Sequence, residues 1–217
     1  DTVIFTNLTQ DHLDYHGDIQ EYGKAKSKIF GLPGIKHIVL NIDDAFGQAS
    51  FDHLRKQLSP NQDIWLYGLD ALGNLFNSAD LGPHIRSLQA TQLNMGVAGN
   101  SFSVELDGQK LGDIATQLIG SFNISNALAV LATLLASGMS FEQAKSKIEL
   151  LKPVIGRLEI LRPRSAQMPI AVVDFAHTPD ALEKVLKVLR PLAQSRGGKL
   201  WCLFGCGGDR DPIKRSV

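Results

Sequence analysis

Along the first third of the chain, short apolar runs alternate with longer stretches whose apolar residues recur at helical spacing. Val3-Ile4-Phe5, closing at Thr6-Asn7, reads as the end of a buried strand. Residues 11–16 suit a short helical turn broken at Gly17. Asp18 is an expected N-cap with Glu21 in the capping-box position, and the helix it opens runs to about Phe30, where Leu32-Pro33-Gly34 ends it. Residues 37–42 (HIVLNI) form a second predicted strand, Asp43 opens a helix to about Leu58, and residues 63–67 (DIWLY) form a third strand. Parallel strands need a crossover to bring the chain back, so this strand–helix alternation predicts an α/β fold built on a parallel sheet.

The pattern then changes. From about Ile85 to Leu118 short alternating segments are separated by turn signals at Gly99-Asn100 and Asp107-Gly108, and residues 101–111 (SFSVELDGQKL) are a predicted hairpin. This region is expected to be a small antiparallel appendage on the α/β core. Two helices follow, 123–137 and 140–151, separated by Gly138, and residues 153–157 break the pattern. Beyond Arg162 the alternation restarts with a strand at 169–174 (PIAVVD), a helix at 179–192 and a strand at 199–204 (KLWCLF), followed by a glycine-rich loop. Two parallel strands and one helix cannot cover both faces of a sheet, so this second unit is expected to be truncated.

Composition narrows the function. With 44% hydrophobic and 20% charged residues among 217, the chain can bury a sizeable core. Lys+Arg and Asp+Glu both number 22, which argues against nucleic acid or an acidic membrane surface as partner. No apolar run approaches the roughly 18 residues of a membrane span, and no secretory signal opens the chain. Cys202 and Cys206 are too few for a disulfide framework, and their spacing without nearby histidines makes a poor zinc site. A reduced, cytoplasmic setting is expected.

Several segments carry candidate chemistry. TNLTQDHLDYHG (residues 6–17) places His12 and His16 four apart, and Asp11 with Tyr15, so in a helix each pair shares a face. Imidazole with carboxylate suits a divalent cation; a solvated polar turn and a zinc hydrolase site are the alternatives. On the next helix Lys24 and Lys28 share one face, whereas Lys26 points toward the side of Tyr22, Ile29 and Phe30. A lysine aimed there either snorkels past the core edge or is paired or modified. In GSFNISN, Asn123 and Asn126 stand at a helix start, where they can cap or meet the polar edges of a nucleotide. Arg157 in GRLE can clamp phosphate or form an interdomain ion pair. Asp174 ends a predicted strand and leads into His177, with Thr178 and Pro179 suited to start a helix. The loop GCGGDRD contains Asp209 and Arg210 but no Walker A sequence, and no G-x4-G-K-[ST] occurs anywhere in the chain.

TNLTQDHLDYHG, GSFNISN, GRLE, VVDFAHTPDAL and LWCLFGCGGDRD, in this order and at these intervals, resemble the Mur ligases of peptidoglycan synthesis, over essentially the whole chain. The resemblance implies that residues 1–161 are the second half of a central ATPase domain and residues 162–217 the start of a Rossmann-like C-terminal domain. The family's P-loop and catalytic glutamate would precede Asp1, and its acceptor motif would follow Val217, so the chain by itself is expected to be inactive. The implied activity is ATP-dependent addition of a diamino acid, with meso-diaminopimelate favoured, to UDP-MurNAc-L-Ala-D-Glu through an acyl phosphate, by an enzyme that is a monomer at full length. A non-catalytic binding module, or a related Mur or folylpolyglutamate-type ligase, is the alternative.

The resemblance also assigns residues. His12 matches a magnesium ligand, and Lys26 a lysine that becomes carbamylated and helps position Mg2+. Asn123 and Asn126 match nucleotide contacts, Arg157 an arginine that reaches ATP phosphate, and Asp174 an aspartate that holds the ribose, with His177 beside it. Asp209 and Arg210 are assigned to the same ATP site. Phe175 stands where tyrosine is common, and Ser216 where proline is common, with neither expected to touch a catalytic role.

Overall fold

The computed structural model describes residues 1–9, 18–69, 81–161, 165 and 168–205. The turn expected at 11–16 and the loop beyond Gly205 lie outside these residues. The elements are β1 (Thr2–Phe5), α1 (Ile19–Ser27), a 3₁₀ turn (Lys28–Gly31), β2 (His37–Asn41), α2 (Ala45–Leu54), β3 (Asp63–Gly68), β4 (Ile85–Gly96), β5 (Gly99–Leu106) and β6 (Gln109–Thr116). They continue with α3 (Ser121–Ala136), α4 (Phe141–Glu149), β7 (Glu159–Leu161), β8 (Ala171–Val173) and α5 (Pro179–Ser195).

Six strands form one sheet in the order β1-β2-β3-β4-β5-β6. Pairing is parallel from β1 to β4 and antiparallel from β4 to β6. The antiparallel part is thus continuous with the parallel core: β4 pairs with β3 on one side and β5 on the other. Alternate side chains sort to the two faces, as the period of two in a strand requires. Val39, Trp65, Tyr67, Leu88 and Ala90 pack with Ile124, Leu128 and Leu131 of α3 and Ala144 and Ile148 of α4. On the other face Val3, Phe5, Ile38, Leu40, Ile64 and Leu66 pack with Phe30 and with Phe51 of α2. Among the described residues β1 is an outer strand of the sheet, and Ile4 is 42% exposed while Val3 and Phe5 are buried.

Several expected boundaries shift, each for a local reason. Asp18 does cap α1, accepting from Glu21 N at 2.8 Å. The Glu21 carboxylate, however, engages Lys24 at 2.6 Å, and the α-helix stops at Ser27, with the 3₁₀ turn reaching Gly31. α2 is capped by Asp44 rather than opened by Asp43, because Asp44 Oδ1 accepts from Phe46 N at 2.9 Å and Gly47 N at 3.3 Å, whereas Asp43 Oδ2 accepts from Leu69 N at 2.7 Å. It ends at Leu54 rather than near Leu58. Asp107-Gly108 turns the β5–β6 hairpin with φ of 51° and 78°, the two positive values a type I′ turn needs. Gly99-Asn100 is not a turn: both residues begin β5. A Cβ on Gly99 would lie 1.8 Å from Thr116 O, so the glycine is required by strand approach.

The second unit departs further. Thr178 caps α5, accepting from Ala181 N at 3.3 Å, with Pro179 in the first turn. β8 pairs antiparallel with β7, and the run 199–204 joins no ladder; Trp201, Leu203 and Phe204 are exposed. A strand exists only where a partner accepts its backbone bonds, and no described segment provides one here. None of the described helices is long and apolar enough to cross a membrane.

Tyr67, fully buried at the end of β3, ties the layers together. Its hydroxyl donates to Phe5 O at 3.4 Å and meets the side chain of Ser125 on α3. Burial, the largest cause, pushes the phenol well above its ordinary value of 10.0. A raised folded-state value means that stability is full below pH 10 and is lost as the pH climbs toward that value. Alkaline melts should therefore show a fall in stability above about pH 10 that Tyr67→Phe reduces; identical alkaline profiles would refute this.

Candidate active site

The carboxyl ends of parallel strands are where ligands gather in α/β sheets, and here the ends of β1, β2 and β3 meet α1, α2 and the start of α3. Lys26, near the end of α1, turns back to this edge. Its Nζ donates to Asn7 O at 3.0 Å and lies 4.7 Å from the centre of the Tyr22 ring, one helical turn earlier. The helix can come this near because Gly23 has no side chain: a Cβ there would lie 2.6 Å from the Phe46 ring and 3.2 Å from Leu8. Lys24 is drawn outward by Glu21, whose hydrogen bond, followed by its charge, raises the amine's proton affinity. The two lysines are thus separated as their helical positions imply.

Thr6-Asn7-Leu8, the exit from β1, is held at three consecutive residues. Asn41 Nδ2 donates to Thr6 O at 2.7 Å, Lys26 to Asn7 O, and Leu8 N donates to Asp44 Oδ2 at 3.0 Å. His12 lies outside the described residues, as do Asp209 and Arg210. Among the described residues, no group of three or more His, Cys, Asp or Glu side chains could hold a metal ion. Lys26 is therefore the described member of the expected magnesium site.

At the start of α3 the N-cap is Gly120, with φ of 88° and no side-chain cap. The asparagines do not cap: Asn123 Nδ2 reaches back to Ile119 O at 2.8 Å, and Asn126 Nδ2 donates to Asn123 Oδ1 at 3.4 Å, near the limit for a hydrogen bond. Asn126 is exposed, and Ser125 between the two meets Tyr67, so this helix start faces the same strand ends. Buried Asn100, missed in the sequence, donates to Gly120 O at 2.9 Å and anchors the turn from the antiparallel part of the sheet. A Cβ on Gly120 would lie 3.1 Å from Val188 of α5, which puts the second unit beside the helix start.

The junction gathers three more of the expected residues. Asp174 Oδ2 accepts from Leu158 N at 2.8 Å, and Oδ1 from Ala176 N at 2.7 Å. Leu158 is buried with φ of 46°. Arg157 is exposed, and its guanidinium lies 5.8 Å from the centre of the Phe175 ring. Phe175 also covers Gly156, where a Cβ would lie 2.2 Å from the ring. Phe175, not expected to touch a catalytic role, thus lies beside one of the candidate residues. His177 Nδ1 lies 2.9 Å from Phe175 O; a carbonyl only accepts, so this nitrogen carries the proton and Nε2 is left for another partner.

The mostly parallel sheet, with helices on both faces and a second α/β unit beside the start of α3, was compared with known proteins. The Mur ligase middle domain model matches residues 1–134, and that of the Mur ligase, glutamate ligase domain matches residues 156–217. The chain belongs to the Mur ligase family. It is 42% identical over 215 residues to the UDP-N-acetylmuramoyl-L-alanyl-D-glutamate–2,6-diaminopimelate ligase of Janthinobacterium sp. (strain Marseille), and 43% identical over 215 residues to that of Ralstonia nicotianae. Each alignment covers 99% of this chain and 40% of the relative. A solved structure of a ligase with the same name superposes with a TM-score of 0.70 at 30% identity, over 99% of this chain and 40% of that one.

Proposed function

We propose that the protein is an ATP-dependent ligase of peptidoglycan precursor synthesis, which joins a diamino acid, meso-diaminopimelate in preference to lysine, to UDP-MurNAc-L-Ala-D-Glu. ATP phosphorylates the substrate carboxylate, the acceptor amine attacks the acyl phosphate, and ADP and phosphate leave. The observation that carries this reading is the Lys26 amine held against Asn7 O at the strand ends, in a chain that aligns over 99% of its length with diaminopimelate ligases. In this reading residues 1–161 belong to the central ATP-binding domain and residues 162–217 to the C-terminal domain. The enzyme acts in the cytoplasm as a monomer.

The residues take roles that their chemistry allows. Carbamylation of Lys26 joins its neutral amine to carbon dioxide and releases a proton. The product keeps one N–H, enough to preserve the bond to Asn7 O, and gains a carboxylate. In this reading the carbamate oxygens and His12 would hold magnesium, which would supply neutralisation of crowded phosphate charge. Asn123 and Asn126 offer amides to the nucleotide, and Arg157 offers its planar fork to phosphate. Asp174, with each oxygen already holding one backbone N–H, retains lone pairs for a ribose hydroxyl. His177 offers Nε2, and Asp209 and Arg210 complete the ATP site.

The complete gene product should release ADP only when UDP-MurNAc-L-Ala-D-Glu and a diamino acid are both present, and faster with meso-diaminopimelate than with lysine. Absence of ADP release above background with either acceptor would refute the reading.

A further inference from the structure

The three consecutive anchors on Thr6-Asn7-Leu8 use side chains from three elements, and one of them, Lys26, has a chemical role of its own in the reading above. The other two do not. Asn41, at the end of β2, is only 9% exposed, and both ends of its amide are used: Nδ2 donates to Thr6 O at 2.7 Å, and Oδ1 accepts from Asp43 N at 3.0 Å. Asp44 divides its carboxylate, with Oδ1 capping α2 and Oδ2 holding Leu8 N at 3.0 Å. A cap needs only one oxygen; the second is committed to a segment 36 residues away in sequence. Breaking either anchor leaves a partly buried backbone group without its partner. Together they hold the backbone on both sides of Asn7, whose carbonyl receives the lysine amine.

We infer that Asn41 and Asp44 are positioning residues for catalysis: they set the Thr6–Leu8 backbone, and through it the place of the Lys26 amine. This rests on the ligase reading above. A displacement of about 1 Å at such a scaffold can cost on the order of 100-fold in rate without contact to substrate.

The test separates anchoring from folding. Asp44→Ser retains an oxygen to cap α2 but cannot serve Leu8 N with the same atom. Asn41→Asp retains the acceptor for Asp43 N and turns an oxygen, in place of a donor, toward Thr6 O. Both are made in the complete gene product, with Lys26→Ala alongside. Melting temperature, kcat, KM for UDP-MurNAc-L-Ala-D-Glu, and the lysine carbamate signal in ¹³C NMR after equilibration with [¹³C]bicarbonate are measured. Asp44→Ser is expected to melt within about 4 °C of the parent, to lose at least ~10-fold in kcat with KM little changed, and to give a weaker carbamate signal. Asn41→Asp is expected to follow it in kcat and signal. A folded Asp44→Ser with parental kcat and carbamate signal overturns the inference, even if Asn41→Asp fails to fold. If Lys26→Ala keeps parental turnover while Asp44→Ser loses it, Asp44 does not act through the lysine, and the carbamate assignment and the inference both fail. If Lys26→Ala is inactive while Asp44→Ser is normal, the inference alone fails.

Discussion

Lys26→Ala should reduce ligase turnover by at least ~100-fold while leaving the fold nearly intact. The two effects differ in size because the lysine contributes little to stability. It donates one hydrogen bond, to Asn7 O, and lies over one ring, that of Tyr22. Such contacts at a partly exposed site amount to about 1 kcal/mol each at most. In catalysis the same residue is proposed to provide a carboxylate where phosphate charge must be balanced. Short-chain carboxylates such as acetate should therefore restore part of the lost rate in Lys26→Ala, and a neutral amide of the same size should not. Unaltered turnover in the alanine variant would remove the lysine from the mechanism.

Gly47→Ala is expected to destabilise the fold strongly. Gly47 is buried in the first turn of α2, and an added Cβ would lie 1.8 Å from Asn41 O and 2.9 Å from its carbonyl carbon. Backbone cannot rotate out of the way as a side chain can, so α2 must move off β2. Helix propensity favours alanine over glycine by about 1 kcal/mol, but overpacking costs about 1–3 kcal/mol, and a clash with fixed backbone belongs at the upper end of that range. The clash wins. At about 2–4 °C per kcal/mol for a chain of this size, melting should fall by several degrees. Gly31→Ala, with nothing within 4 Å of its added Cβ, should melt as the parent does. Equal melting of the two variants would show that α2 is not seated on β2 as described. The same shift would carry Asp44 and Asn41 away from Thr6–Leu8, so turnover should fall as well.

Legibility differed from segment to segment. β2, β3, α3 and the 107–108 hairpin turn were readable because they are governed by neighbours in sequence: apolar runs, helical spacing, and a dipeptide that tolerates two positive φ values. The stretch 199–204 is as apolar as those strands, yet joins no sheet among the described residues. Lys26 was recognisable as unusual from its helical phase alone, but its partner Asn7 is 19 residues away and offers a backbone carbonyl, which no side-chain pattern reveals. Asn41 read only as part of a strand, and the next helix was expected to open at Asp43 rather than Asp44. Phe175 read as a neutral departure, although its ring covers Gly156 and lies beside Arg157.

By itself the sequence therefore determined the α/β character of the chain, the order of its principal elements and its family, and it supplied the candidates for the proposed chemistry. Those follow from short-range patterning and from motifs whose residue types are dictated by what they bind. The tertiary structure alone decided that the antiparallel strands extend the parallel sheet, that Asn100 anchors the start of α3, and that Asn41, Lys26 and Asp44 together hold the exit of β1. These depend on strand register and on hydrogen bonds to backbone atoms, and every residue offers the same carbonyl and, proline aside, the same N–H. Only the folded chain selects which of them a distant side chain meets.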